Sequence, residues 1–575
     1  MVAERTREFM REGFICLLVL FLLADSPAAV AEDSVTPESA AAKTALQPVP
    51  SSFDEVIDRV IAREQALLAE MRNRRPLVET YLQDFKSDAD GNATLVKDQY
   101  YLGRLQMSNG PEDISFLGQP GLGKIRFHRR TTILDRSGPI GFAEMLMPDP
   151  DLYKKNYKFK FVRREFLGEV RCLVIDVEPK PDAPPGRFEG RMWVEDRDYN
   201  IVRFNGAYGA DSGHPRDNVL RFDSWRLNLQ PGLWLPAYIY AEESDWQPGV
   251  ARIHLKAQTR FWGYDLTNLA RNPNQEFTKI TMESNQPVRD ESGADADATP
   301  VVAARMWERQ AEDNAIERLQ ETGLLAPQGQ VDRILEQVVK NLLIANNIDL
   351  QSDLHCRVLL TAPLESFTIG HTIVVSRGLL DVLPDEASLA VIVAHELSHV
   401  ILGHRSDPKL AFSDQMFFPD EQSFQRLNFM HRPAEEEAAD TKALELLENS
   451  PYKEKLGAAG LFLKVLQQKA PDLPNLIHPH LGNGLAAGES IRMSALLASA
   501  PQLDEHRTDQ IAALPLGARI KLDPWSDQVE FTKAHCVPLV LAREKMPFEI
   551  TPFFPYLTIV GHENNKVAAV DPPSK

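Results

Sequence analysis

His395, Glu396 and His399 stand in the run Val391-Ile-Val-Ala-His-Glu-Leu-Ser-His399. On an α-helix, residues four apart share a face, so the two imidazoles can converge on one point and hold a metal ion there. Glu396, beside the first histidine, is placed to reach a water on such an ion, the position of a general base in metal-assisted hydrolysis. Five letters of this kind recur by chance, and the surroundings add weight to them. Pro384, Asp385 and Glu386 suit a helix start, residues 389–394 form an apolar run that implies a buried helix, and Gly403 is a helix stop.

A catalytic zinc takes three protein ligands and keeps one position for water. The candidate for the third lies in residues 431–447, which read as a second helix opened by Pro433 and closed before Pro451. Glu436 and Asp440 are again four apart. Glu436 can ligate the metal while Asp440 braces a ligand histidine from behind. The same letters could also form a solvated acidic face.

Three stretches together, Thr372-Ile-Val-Val-Ser-Arg-Gly-Leu-Leu380, His395-Glu-Leu-Ser-His399 and Glu436-Glu-Ala-Ala-Asp440, resemble the M48 peptidases. That group includes the CAAX prenyl proteases and periplasmic quality-control proteases. The resemblance implies one Zn2+ per chain on His395, His399 and Glu436, with Glu436 rather than Glu435 or Glu437 matching the family's Glu-x-x-x-Asp. It implies Glu396 and Asp440 as catalytic residues. It also implies a substrate edge strand, Thr372, Ile373, Val374 and Val375, on which an extended peptide pairs by strand addition that reads backbone more than side chain. His478, His480 and Arg492 are candidates for contacts to the oxyanion or to the resting zinc, although His478-Pro-His480 and Ser490-Ile-Arg492 depart from the family in spacing and order. His404 falls outside the metzincin spacing and reads as a helix-end residue.

The scaffold around these residues is read from the rest of the chain. At 575 residues it is too long for one ordinary core. A composition of 43% hydrophobic and 25% charged residues is globular, and a net charge of −19 with no basic patch argues against nucleic acid as a partner. Residues 1–31 have the form of a signal peptide: Arg5, Arg7 and Arg11, an apolar run over 14–24, then Ala29-Val-Ala31. Export to the periplasm or beyond is expected, with a mature chain starting at Glu32. The apolar run is well short of the roughly 20 residues that span a bilayer, and no later run reaches 18, so no transmembrane span is expected after cleavage. Cys172, Cys356 and Cys536 then remain, and spacing leaves open whether Cys356 and Cys536 pair.

Residues 32–52 read as a flexible lead-in. Val56, Val60, Leu67 and Met71 recur at helical spacing, and from about residue 100 the period becomes two, as in 252–262. Residues 53–283 are thus expected to form an antiparallel β-rich accessory domain. Gly186-Arg-Phe-Glu-Gly-Arg-Met-Trp-Val194 and Leu233-Trp-Leu-Pro-Ala-Tyr-Ile239 resemble the lipoprotein-carrier fold. That resemblance implies contact with a lipid, a lipoprotein or an unfolded chain, and a filled structural or regulatory domain is the alternative. An acidic linker over 284–300 suggests that the second half of the chain folds separately. Residues 301–510 form the catalytic domain, with helices at 301–322, 328–346 and 457–469, strands at 354–361 and 372–376, and a lid or surface loop over 405–432. A β-rich extension, 511–562, and a disordered tail, 563–575, complete the chain.

The fold class expected is α+β: a mainly helical, gluzincin-like zinc metallopeptidase domain preceded by an antiparallel β-rich domain. The function expected is an exported zinc-dependent endopeptidase acting on polypeptides, unfolded or envelope proteins among them, in quality control or processing. The alternative is a periplasmic chaperone or lipid- or lipoprotein-binding protein whose metal domain is closed or vestigial.

Overall fold

Period-two alternation builds the N-terminal half into a single antiparallel sheet. The computed structural model describes residues 50–87, 93–107, 112–117, 152–209, 220–243, 253–264, 300–350, 353–405, 420–477, 480–487, 490–502, 520–523, 528–531 and 548–560. The signal-peptide segment, most of the lead-in, residues 284–299 of the linker, residues 406–419 of the expected lid, Cys536, His478 and the tail lie outside these.

Helix α1 (Phe53–Met71) comes first, capped by the Ser52 side chain on the Glu55 N–H. The sheet comes next: β1 (Leu77–Ser87), β2 (Ala93–Gln106), β3 (Glu112–Ser115), β4 (Tyr157–Leu167), β5 (Val170–Pro179), β6 (Phe188–Glu195), β7 (Ile201–Tyr208), β8 (Leu220–Gln230), β9 (Leu233–Glu243) and β10 (Ile253–Trp262). Strands β4 to β10 meander in sequence order, and β10 then pairs with β1, so the order is β3-β2-β1-β10-β9-β8-β7-β6-β5-β4. Alternation sends Leu77, Tyr81, Val174 and Trp193 to one face and Val78, Leu82, Ile175 and Val194 to the other. Helix α1 lies on the second face through Ile57, Val60, Leu67 and Met71. Burying four such side chains at roughly 1.5–3 kcal/mol each suffices to dock it.

Helices α2 (Pro300–Glu321) and α3 (Gln330–Ala345) open the second half, followed by β11 (His355–Leu359), β12 (Ser366–Ile369), β13 (Thr372–Ser376) and α4 (Arg377–Val382). Then come α5 (Glu386–Leu402), α6 (Asp420–Arg426), α7 (Pro433–Glu448), α8 (Leu456–Lys469), the short α9 (Pro474–Ile477) and α10 (Ser494–Ser499). Two small hairpins complete the set, β14 (Ala486–Ala487) with β15 (Ser490–Ile491) and β16 (Ile520–Asp523) with β17 (Gln528–Phe531). The whole is α+β.

The structure corrects the expected substrate edge strand. Thr372, Ile373, Val374 and Val375 belong to β13, which is the central strand of its sheet, parallel to β11 on one side and antiparallel to β12 on the other. Both rows of its backbone groups are therefore used inside the sheet, and none is left for a peptide to pair with. The strand facing the metal helix is β12, four residues long, and Glu365 just before it bridges Gly484.

The two halves share a core, contrary to the separate folding suggested by the linker. Leu77, Tyr100, Trp193 and Trp225 of the sheet belong to the same buried cluster as Val338, Val375, Leu397 and Leu466 of the helical half. Residues 548–560, without regular structure, also lie on this face. The Gln83 amide accepts from the Ile550 N–H at 2.8 Å and donates to the Phe548 carbonyl, and Glu169 donates to the Leu557 carbonyl at 2.8 Å. Gly168 permits that approach: its φ is +65°, and a Cβ there would meet Leu557 backbone atoms at 2.5 Å.

Candidate metal centre

Helix α5 is fixed at both ends. The Asp385 side chain accepts from the Ser388 N–H at 2.8 Å, and Gly403, left-handed at φ 69°, closes the last turn. Residues 387–399 are all buried apart from the partly buried Leu389. His395, Glu396 and His399 are each 1% exposed. Helix α7 packs across α5 and has Pro433 in its first turn. Glu435 spends its carboxylate on the cap, accepting from the Arg432 N–H at 3.1 Å and pairing with the Arg432 guanidinium, which holds its pKa at about 2. One residue on, Glu436 turns to the histidines.

His395 Nε2 lies 3.1 Å from His399 Nε2 and 3.2 Å from Glu436 Oε2, and His399 Nε2 lies 3.5 Å from Glu436 Oε1. Tetrahedral ligands at about 2.0–2.1 Å from a zinc ion stand about 3.3 Å apart, so these separations suit one ion between the three groups. Proton placement points the same way. His395 Nδ1 is 2.8 Å from Asp440 Oδ1; the carboxylate only accepts, so Nδ1 carries the hydrogen and Nε2 presents a lone pair. A lone pair facing a carboxylate at 3.2 Å favours a cation between them. Burial and the Arg492 charge push the His395 pKa down, while Asp440, Glu436 and Glu396 outweigh them and raise it. Glu436 is pushed far below the usual carboxylate range, since the two histidines and Arg492 overcome its burial. Its Oε1 has no hydrogen-bond partner in the protein. The three residues are the one group of His, Cys, Asp and Glu among the described residues whose ligand atoms come close enough to hold an ion.

Glu396 is held by a set of donors. Ser366 Oγ donates to Oε1 at 2.7 Å, Thr368 Oγ1 to Oε2 at 2.8 Å, and Arg492 Nη1 to Oε1 at 2.8 Å. Burial pushes its pKa up, but Arg492, the two histidines and Ser366 hold it at about 2. Asp440 is fixed too, its Oδ2 accepting from the Met493 N–H at 2.7 Å.

Of the further candidates, Arg492 is at the centre. Its Nε lies 3.3 Å from Glu436 Oε2, and Nη2 donates to the Asn483 carbonyl. His480 stacks instead on Tyr100 of the sheet, ring centroids 5.4 Å apart, and it does not join the ligand group. His478 lies outside the described residues.

Sequence reasoning missed four side chains. Ser366 and Thr368 orient Glu396. His404, besides following the helix stop, places its Nδ1 2.9 Å from His399 Nδ1 and so backs the second ligand as Asp440 backs the first. His431 stacks on His399 with centroids 3.9 Å apart and planes 14° from parallel; burial and the His399 charge lower its pKa to about 4. No periodic signal marks any of the four, and only the density of histidines beyond residue 350 hints at the last two.

Residues 326–418 match the family model described as Peptidase family M48, which supports a metallopeptidase. The match takes in α5 and stops before α6, so Glu436 and Asp440 stand on geometry alone. No curated protein matches the chain. One similar solved structure is a DUF1329 family protein from Desulfovibrio piger ATCC 29098, at 8% identity over 37% of this chain and 93% of that one, with a TM-score of 0.21. At that score the likeness carries no argument about the fold. Among the described residues no helix is long and apolar enough to cross a membrane.

Proposed function

We propose that this chain is an exported zinc-dependent endopeptidase that cleaves polypeptides in the cell envelope. The observation that carries the activity is the convergence of His395, His399 and Glu436, the two histidines and Glu396 lying within the region that matches a metallopeptidase family. Export rests on the form of residues 1–31.

His395, His399 and Glu436 would hold the metal. When bound, zinc brings the pKa of a coordinated water to about 7 and polarises a carbonyl oxygen. Asp440 and His404 fix which nitrogen of each histidine faces the metal. Glu396, ionised and oriented by Ser366 and Thr368, takes the proton of the attacking water and passes it to the leaving amine. Among the described residues Oε2 accepts a side-chain hydrogen bond from Thr368 only, which leaves it a lone pair for that proton. The hydrogen bonds that Asp440, Ser366 and Thr368 make to His395 and Glu396 support a working enzyme over a vestigial metal domain.

The test is metal analysis of the purified mature protein with casein cleavage, with and without chelator, on wild type and Glu396→Gln. Glu396→Gln should keep about one zinc per chain while cleavage falls by a factor on the order of 10² or more, the scale of general acid–base assistance. Loss of zinc together with activity would refute the role given to Glu396.

A further inference from the structure

We propose that His431 is a catalytic residue whose ring N–H donates a hydrogen bond to the oxyanion formed on the scissile carbonyl, an assignment that rests on the peptidase reading. His431 comes from the loop before α7, at the start of the 431–447 stretch, where sequence reasoning assigned it no role. Its ring lies flat against the ligand His399, centroids 3.9 Å apart, and its side chain is only 4% exposed. Despite that burial, neither Nδ1 nor Nε2 has a hydrogen-bond partner in the protein. The nearest carboxylate oxygen, Glu435 Oε2, is 3.8 Å from Nδ1, beyond hydrogen-bond range.

A buried imidazole with both nitrogens unmatched is costly, and such groups call for a functional explanation. Two other unmatched atoms belong to the same centre, Glu436 Oε1 and Arg492 Nε. Glu436 is accounted for as a metal ligand and Arg492 Nε lies 3.3 Å from Glu436 Oε2, whereas nothing in the protein accounts for the two nitrogens of His431. Metal ligation does not account for His431, which is not part of the group formed by His395, His399 and Glu436. The other candidate donor, Arg492, has Nη1 on Glu396 and Nη2 on the Asn483 carbonyl. His431 has no competing bond.

In the step concerned, the water oxygen bonds to the carbonyl carbon, the C=O π pair moves onto oxygen, and the water proton goes to Glu396. On collapse the oxygen pair re-forms the carbonyl, the C–N bond breaks, and the amine takes the proton back from Glu396. His431 transfers no proton. Its N–H stabilises the negative oxygen, and one donor of this kind contributes about 10²–10³-fold in kcat.

The experiment uses the full mature chain loaded with zinc and two substitutions. His431→Phe keeps an aromatic ring against His399 and removes the N–H; His431→Gln removes the ring and restores a donor. Zinc content, kcat and KM on a short unstructured peptide, and the affinity of a phosphonate peptide that mimics the tetrahedral oxyanion are measured for each. The expected result for His431→Phe is about one zinc per chain, KM within a few-fold of wild type, and kcat lowered about 10²–10³-fold. Phosphonate affinity should fall in parallel, and His431→Gln should recover part of both. Unchanged kcat in His431→Phe overturns the assignment and leaves the ring a stacking support for His399. Loss of zinc in His431→Phe overturns it in favour of a structural role at the metal. A zinc-loaded wild type that cuts no peptide overturns the peptidase reading itself, a result separable from either of these.

Discussion

Glu365 offers a stability prediction whose size can be worked out. Its carboxyl is 2% exposed and accepts from the Leu481 N–H at 3.2 Å and Thr361 Oγ1 at 3.3 Å. Burial raises its pKa, the hydrogen bonds from Leu481, Thr361, His480 and Gly482 only partly offset this, and the net value is about 7 against an ordinary 4.5. Because the folded value lies above the unfolded one, the folded chain holds a proton that the unfolded chain has lost between pH 4.5 and 7. The stability from this group is therefore fully present below pH 4.5 and is lost as pH rises through 7. At 1.36 kcal/mol per pH unit, the loss comes to about 3 kcal/mol. With an unfolding entropy of about 2.1 cal/mol/K per residue over a chain of this length, that is about 3 °C in Tm. Glu365→Gln is neutral throughout and should lack this component. The assay is Tm of both proteins by calorimetry from about pH 4.5 to 8, each loaded with zinc. The wild-type Tm should drop about 3 °C further than that of Glu365→Gln across the window, and parallel profiles would show that Glu365 does not carry the proton.

Glu436→Gln should lose most of its zinc, while Glu435→Gln, whose hydrogen bonds go to the helix cap, and Glu437→Gln should retain it; equal metal content in all three would send the search for the third ligand elsewhere. N-terminal sequencing of the envelope-fraction protein should begin at Glu32, and an intact N-terminus in a cytoplasmic fraction would remove the basis for export. A fragment starting near Ala303 should fail to fold, because it strips the sheet from a shared core; a soluble fragment with native-like near-UV dichroism and one bound zinc would show the core to be divisible.

The metal helix was legible because three independent signals coincide there: the four-residue spacing, a cap residue at Asp385 and a stop at Gly403. Glu436 and Asp440 were legible for the same reason. Their surroundings were not. Ser366 and Thr368 lie on β12, whose four residues are too few to show alternation, and sheet order cannot be read along a chain, so the conspicuous Thr372–Ser376 run was given an edge that belongs to its neighbour. Strands β5 to β10 announced themselves by alternation. Strand β1 did not, because Glu79, Gln83 and Asp84 interrupt its pattern.

Those interruptions explain why the sheet and the metal centre form one structure. Glu79 is 2% exposed and accepts from Tyr100 Oη at 2.9 Å, from the Ala362 N–H and from Arg377 Nη2 at 3.0 Å, the last two in the helical half. Asp98 is fully buried and accepts from the N–H groups of Asn475 and Leu476 at 3.1 and 2.9 Å, at the start of α9. A buried carboxylate stripped of its donors costs several kcal/mol, so neither residue tolerates separation of the halves. The Glu79 anchor also bears on the centre. Arg377 follows Ser376, the last residue of the strand that pairs with β12, the Ser376 hydroxyl accepts from the Glu365 N–H, and the Glu365 carboxyl holds Leu481 in the segment whose Asn483 carbonyl accepts from Arg492. Arg492 in turn holds Glu396. The sheet is thus tied to Glu396 by hydrogen bonds joined through short stretches of chain, and the accessory sheet belongs to the scaffold of the centre.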